Sequence, residues 1–282
     1  MAASPNHADR PRVSTLLEAE NIERFTDRYR LCCAPVRLDI ERQALDADYG
    51  STGYTTRAQA DELAGHLGLE HGDLLADIGS GSGWPGLYLA QLTGCRVVGT
   101  DLPIDGLQRA RARSIVDGLS DRASYVAATG RSQPFRSGCF DAVVHTDVLC
   151  CLGPKLAVLR DCRRLLRPGG RLAFTVIHVA PDLGAARHRR AVRAGPSQVV
   201  TRRPYPELVV QAGFTDVVAI DVTEDYARTQ RMWCAGNEAR SAEVRRLTSD
   251  REFAIAKAER RLAQAAIEDG LLRRCLITAV GR

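Results

Sequence analysis

Leu74-Leu75-Ala76-Asp77-Ile78-Gly79-Ser80-Gly81-Ser82-Gly83-Trp84-Pro85-Gly86 is the stretch that decides the fold. Leu74–Ile78 is a short apolar run, the pattern of a buried strand. A glycine turn follows, and then a helix over Pro85–Leu92 with proline in its first turn, where a missing N–H costs nothing. A polar cofactor lying against such a turn would be held off by any Cβ at the glycines. The start of the helix adds unpaired backbone N–H groups. Outward from this unit the alternation continues. Strands are expected at Arg96–Thr100, Tyr125–Ala128, Phe140–His145 and Arg171–Val179. Helices are expected at Asp105–Leu119, with Asp105 as N-cap, and at Lys155–Leu166, stopped by Pro168-Gly169-Gly170. Strands alternating with helices of this length predict an α/β fold, a mostly parallel sheet with helices on both faces.

Two cofactors compete for the glycine turn. Gly81-Ser82-Gly83-Trp84-Pro85-Gly86 is formally GxGxxG, the dinucleotide fingerprint. Gly79-Ser80-Gly81-Ser82-Gly83 is GxGxG, and Asp77 stands at the end of its strand. A carboxylate there repels a pyrophosphate and attracts a cationic amino-acid moiety. The second strand ends in Val98-Gly99-Thr100-Asp101, and an acid in that place accepts hydrogen bonds from ribose hydroxyls in either cofactor.

The chain resembles the class I S-adenosylmethionine-dependent methyltransferase family of small-molecule type. The resemblance rests on Leu75–Gly83, Asp101, Gly130-Arg131-Ser132-Gln133-Pro134-Phe135, Phe140-Asp141-Ala142-Val143-Val144 and Leu166-Arg167-Pro168-Gly169-Gly170, in that order. It implies a Rossmann-like, seven-stranded mixed sheet whose last strand is antiparallel, with Thr215–Asp221 and Arg274–Val280 as strands six and seven. Gly79, Gly81 and Gly83 would then let the backbone approach S-adenosyl-L-methionine. Asp77 would hold its methionine end through water, Asp101 its ribose, and Leu102 would lie against adenine. Where many members carry an acid near the adenine amino group, this chain has Thr129, so adenine would meet the Thr129 hydroxyl and the backbone of Gly130 or Arg131.

A sulfonium methyl group is already activated, so the protein's task is alignment of the acceptor in a site closed to water. A base is needed only where the acceptor must lose a proton. His145 and His178 stand at carboxyl ends of expected strands, where ligands of open α/β sheets bind, and each is a candidate base. The competing reading has His145 lining the cofactor pocket through its backbone and His178 bonded within a loop. Cys150 and Cys151 are small apolar side chains more readily than nucleophiles. Tyr49 and Tyr54 could fold over the methionine end or pack, and Trp84 could lie under the cofactor or fill the helix–sheet junction.

The rest of the 282 residues frames this unit. Residues 1–12 are polar and are expected to be a disordered tail. Residues 13–68 are expected to be a helical cap segment, in which Thr56 and Gln59 fit a capping box. Residues 69–282 would form the methyltransferase domain, with cap insertions at about 180–204 and 223–270. Phe253, Ala256, Leu262 and Ile267 would form one apolar stripe within the second insertion. The segment Ala180–Pro204 is expected to be irregular. It carries six arginines (Arg187, Arg189, Arg190, Arg193, Arg202 and Arg203) against the single acid Asp182. Such a run suits a carboxylate or phosphate acceptor, or simply a solvated face.

The net charge of +5 is too mild to imply nucleic-acid binding, and no Asn/Asp-Pro-Pro-Tyr/Phe tetrapeptide of base methylases is present. No run approaches the roughly 18 apolar residues that span a bilayer, and no secretory signal opens the chain. Nine cysteines, without a CxxC or zinc spacing, fit a reduced cytoplasmic protein without a metal. Oligomeric state is not legible. Two rival functions stand beside methyl transfer: an NAD(P)-dependent oxidoreductase and a non-catalytic cofactor-binding scaffold.

Overall fold

The computed structural model describes residues 13–282, with side chains from residue 19 onward; the expected tail of residues 1–12 lies outside the described residues. Three helices come first: α1 (Val13–Cys32), α2 (Pro35–Leu45) and α3 (Arg57–Leu67). The capping box of α3 is formed: the Thr56 hydroxyl accepts the Gln59 amide, and the Gln59 side chain reaches back to Thr56. Gly68, in the left-handed region, ends the helix.

The alternating unit follows, as β1 (Leu74–Ile78), α4 (Gly86–Thr93), β2 (Arg96–Asp101), α5 (Ile104–Val116), β3 (Ala123–Ala127), β4 (Phe140–Thr146), α6 (Lys155–Leu165) and β5 (Leu166–Val179). Asp105 lies inside the first turn of α5 and the N-cap is Pro103, which offers no side-chain bond. The remainder is α7 (Ala185–Ala194), α8 (Tyr205–Gln211), β6 (Phe214–Asp221), α9 (Thr223–Ala239), α10 (Ser241–Arg245), α11 (Asp250–Glu268) and β7 (Leu272–Gly281). The segment expected to be irregular thus holds α7. The long helical stretch is three helices, broken at Arg240 and again where Ser249 and Glu252 form a second capping box.

The seven strands form one sheet in the order β3-β2-β1-β4-β5-β7-β6. β7 runs antiparallel to both neighbours, and the other pairings are parallel. Chain direction across the sheet reverses at β1, between β2 and β4, and a ligand crevice opens at such a switch point. One apolar layer packs α6, α8 and the end of α11 on Val143, Phe174 and Ile177. The other packs α3 and α4 on Leu75, Val144 and Ala173. A third, smaller cluster of Val36, Ile40, Val244 and Phe253 joins α2, α10 and α11. From the expected stripe Phe253 and Ile267 are buried, whereas Ala256 and Leu262 are only half-buried. Among the described residues no helix is long and apolar enough to cross a membrane.

Candidate active site

β1 delivers Asp77 to the crevice, and the chain turns at Gly79, Gly81 and Gly83, whose φ angles are +72°, +51° and +100°. All three lie in the left-handed region that favours glycine. The amides of Gly79 and Ser80 donate to the Thr100 carbonyl of β2, at 2.6 and 3.0 Å, which fixes the loop against that strand. The directions a Cβ would take separate the three positions. At Gly79 it would strike Val148, in the turn after β4. At Gly81 it would strike the Tyr29 hydroxyl of α1, whose ring also lies 3.0 Å from the Cβ direction of Gly106. At Gly83 it would meet Leu87 at 2.6 Å and Ala110 at 3.3 Å, so this glycine serves close packing of α4 and α5. The loop is therefore not open on all sides: α1 lies over Gly81 and carries Tyr29.

Two carboxylates flank the loop. Asp101, at the end of β2, accepts the Gly81 amide on Oδ2 (2.9 Å) and the Leu102 amide on Oδ1 (2.8 Å). Burial nevertheless pushes its pKa up to about 6, against those two bonds. Asp77 is 1% exposed and is pushed up to about 8 by burial, with Asp101 adding to the rise and the Gly86 amide opposing it. A Cβ at Gly86 would collide with the Asp77 carboxylate, so glycine lets the start of α4 approach it. Neither acid has a cation within ion-pair distance among the described residues. A carboxylate withdrawn from water without a counter-charge is costly. The arrangement fits a nucleoside whose hydroxyls donate to Asp101 and whose positive charge offsets both acids.

The remaining cofactor candidates converge on the same edge. Ala128 N–H donates to the Asp101 carbonyl at 3.0 Å, leading from β3 into a turn bridged between Thr129 and Ser132. Leu102, Thr129, Gly130 and Arg131 are all half-buried there. The Thr129 carbonyl accepts from the Gln133 side chain at 3.0 Å.

The histidines are placed differently. His145 is completely buried, its ring stacked on Phe174 with centroids 4.5 Å apart. Neither ring nitrogen has a partner, and burial alone pushes its pKa down to about 3. It faces the apolar layer beneath the sheet, so the geometry favours packing over general-base work. His178 is half-buried, with Nδ1 3.1 Å from the Val179 carbonyl. A carbonyl only accepts, so Nδ1 carries the proton and Nε2 keeps the lone pair.

Other sequence candidates pack. Tyr49 is buried between Trp84 and the Arg113 guanidinium, which stands 3.9 Å over its ring. Trp84 donates Nε1–H to the Thr55 carbonyl at 2.8 Å, filling the helix–loop junction. Tyr54 meets the edge of Tyr226 at 4.7 Å. Cys150 is buried and donates to the Asp147 carbonyl.

Asp147 and Arg274 carried no signal in the sequence. Asp147 has φ +56° just beyond β4 and pairs with Arg274 of β7, through Nε–Oδ1 and Nη2–Oδ2 contacts of 2.9 Å each. Arg274 is wholly buried and also donates to Gln59, Thr55 and Thr175. One guanidinium thus ties β4, β5 and the segment before α3 to β7, and holds the turn that sets Val148 against Gly79.

A sheet of order 3-2-1-4-5-7-6, with a glycine loop after β1 and an acid at the end of β2, is the fold of the class I S-adenosylmethionine-dependent methyltransferases. The all-parallel dinucleotide arrangement lacks the antiparallel β7. Residues 76–174 match the family model described as "Methyltransferase domain". Over 170 residues the chain is 32% identical to "Methyltransferase GfsG" of Streptomyces halstedii, covering 58% of this chain and 60% of that protein. Over 174 residues it is 33% identical to "27-O-demethylrifamycin SV methyltransferase" of Amycolatopsis mediterranei, covering 60% and 64%. The match therefore spans somewhat under two thirds of each of these relatives. Among solved structures, phosphoethanolamine N-methyltransferase 2 of Haemonchus contortus superposes with a TM-score of 0.75 at 18% identity, over 92% of this chain and 59% of that one.

Proposed function

We propose that the chain binds S-adenosyl-L-methionine and transfers its methyl group to a small-molecule acceptor. The observation that carries this reading is the glycine loop at the sheet's switch point, flanked by the buried Asp77 and the half-buried Asp101, neither with a cation at ion-pair distance among the described residues. The names of the relatives, one a rifamycin methyltransferase, support it. When bound, the cofactor supplies an activated methyl group. Asp101, Leu102, Thr129, Gly130 and Arg131 would bind its nucleoside, Gly79 and Gly81 would line its path, and Asp77 would act on its amino-acid end. Gly83 contributes by letting α4 and α5 close behind the loop. The helices of residues 13–68 and the two insertions act as the cap that excludes water. Where an acceptor must lose a proton, His178 Nε2 is the available base, and His145 supports the strand end by packing. The nine cysteines, all free thiols, support a reducing, cytoplasmic setting.

Equilibrium titration with S-adenosylhomocysteine and, separately, with NADH tests this reading. Saturable binding of the first and none of the second is the expected result. Tight NADH binding with no response to S-adenosylhomocysteine overturns it. Incubation of metabolite pools with labelled methyl donor then identifies the acceptor, and a folded, cofactor-binding protein that labels nothing favours the scaffold reading.

A further inference from the structure

Glu41 stands where the pattern of α2 calls for an apolar residue. Its companions on the buried face of the helix are Val36, Ile40, Ala44 and Leu45, and it is itself 1% exposed. A carboxyl group taken out of water needs hydrogen bonds in exchange. Here they come from the backbone of one loop, between α2 and α3. Oε1 accepts the amides of Tyr49 and Ser51, at 3.2 and 3.0 Å, and Oε2 accepts that of Gly50 at 2.7 Å. Burial pushes the Glu41 pKa up, and the three amides oppose the rise.

The far side of this loop touches the glycine turn. The Gly50 carbonyl accepts the Ser82 hydroxyl at 3.0 Å, and Ser82 is the buried residue between Gly81 and Gly83. Gly50 has φ +74°, and a Cβ there would meet Cys32 Sγ at 2.7 Å and Cys33 Sγ at 3.2 Å. Glycine therefore lets the loop lie between the end of α1 and the glycine turn. Cys32 in turn donates to the Tyr29 carbonyl at 3.1 Å, and Tyr29 lies against Gly81. The contacts close a ring, from Gly50 to Ser82, from Gly81 to Tyr29, and from Cys32 back to Gly50. Other groups hold the loop on either side. Arg113 of α5 donates to the Asp48 carbonyl at 2.7 Å, and Trp84 donates to the Thr55 carbonyl while packing on Tyr49. The middle of the loop is held by Glu41.

We infer that Glu41 is a positioning residue of the cofactor site. It fixes the amides of Tyr49, Gly50 and Ser51 so that the Gly50 carbonyl meets Ser82, and through that hydroxyl it keeps the glycine turn in shape to receive S-adenosyl-L-methionine. The amide and the carbonyl of Gly50 lie on adjacent rigid peptide planes, so a loop that slips from Glu41 carries the carbonyl away from Ser82. The identity of the ligand rests on the proposed function, whereas the link from Glu41 to Ser82 does not.

The test titrates S-adenosylhomocysteine into the full chain and into Glu41→Gln, Ser82→Ala and the double variant. A glutamine accepts on one oxygen and turns its own N–H groups toward the loop amides. Glu41→Gln should therefore weaken binding by about tenfold, and Ser82→Ala by about fivefold, the scale of buried hydrogen bonds. Acting through one link, the double variant should stay near about tenfold and not reach the product of about fiftyfold. Val244→Ala, which loosens the cluster around Ile40 on α2 without touching the loop, should bind as the parent does. Trp233→Phe leaves Trp84 the single tryptophan of the chain, and in that background Glu41→Gln should shift Trp84 emission to the red before any ligand is added. The inference falls if Glu41→Gln binds within about twofold of the parent, a change too small for a lost buried hydrogen bond. It falls equally if the two losses multiply, if Val244→Ala weakens binding as much, or if Trp84 emission does not move. Should Glu41→Gln not fold, Ser82→Ala cuts the link at its other end, and unchanged binding in that variant overturns the inference by itself. A parent that does not bind S-adenosylhomocysteine overturns the proposed function, and Trp84 emission in the ligand-free proteins then still decides whether Glu41 holds the loop.

Discussion

Replacing Arg274 by methionine tests the largest buried polar element of the fold. Arg274 is wholly buried, and it places donors 2.9 Å from both Asp147 oxygens, from Gln59 Oε1 and from the hydroxyls of Thr55 and Thr175. Arg274→Met leaves the Asp147 carboxylate, only 10% exposed, without its counter-charge. Removing one partner of a buried pair costs about 3–5 kcal/mol, because the remaining charge is stranded. Against a total stability of roughly 5–15 kcal/mol this is a large fraction. At about 2–4 °C per kcal/mol for chains of this size order, the melting temperature should fall by about 6–20 °C. The worth of the intact pair is a separate quantity, since a buried pair exchanged for apolar groups is often neutral. The double variant Asp147→Asn/Arg274→Met strands no charge and should recover about 1–3 kcal/mol of the loss, the usual scale of coupling between contacting residues. Urea unfolding followed by circular dichroism gives all three values. A single variant within about 1 kcal/mol of the parent, well below the range for a broken buried pair, refutes the reasoning. So does a double variant whose loss equals the sum of the two singles. S-adenosylhomocysteine affinity should also fall in Arg274→Met, because the turn that Asp147 anchors sets Val148 against Gly79.

Asp101→Ala should weaken S-adenosylhomocysteine by about 1.5–3 kcal/mol, the range for a hydrogen bond to a charged group, and an unchanged dissociation constant would exclude the ribose role. Cofactor affinity should rise with pH: Asp101 near 6 and Asp77 near 8 hold protons in the free protein, and ribose hydroxyls and a cationic ligand favour the charged forms. Binding therefore releases protons between about pH 5 and 8, which calorimetry in buffers of different ionisation heat detects, and Asp77→Asn should flatten the upper part of that dependence. The same two acids, with Glu41 pushed up to about 8, bind more protons folded than unfolded, so the ligand-free protein should lose stability as pH climbs from about 4 to 8. His145→Leu should keep methyl transfer and leave stability equal or higher by about 1–2 kcal/mol, since it removes two unsatisfied nitrogens; loss of turnover with an intact fold would return His145 to the chemistry.

The glycine-loop side of this molecule was legible in the sequence and the packing of its helices was not, for a physical reason. A crevice at the switch point of such a sheet is built from the ends of consecutive strands, so its residues arrive as short contiguous motifs: Asp77 to Gly83, Asp101, and the turn at Thr129. Local rules read these directly, as they read the capping box of Thr56 and Gln59. The same rules could have split the long helical stretch, because Ser249 and Glu252 form the same signature. They could not have found α7, which has no side-chain cap and buries only Ala191.

Nor does any spacing announce that Arg274 meets Asp147, 127 residues earlier. The histidines show how strand-end position misleads. His145 stands at the expected place, but side chains alternate along a strand and its ring faces the packed layer. The charged run of α7 lies exposed at the surface. Arginines adjacent in sequence on a surface helix point to water or to their own neighbours, as Arg190 does with Asp269.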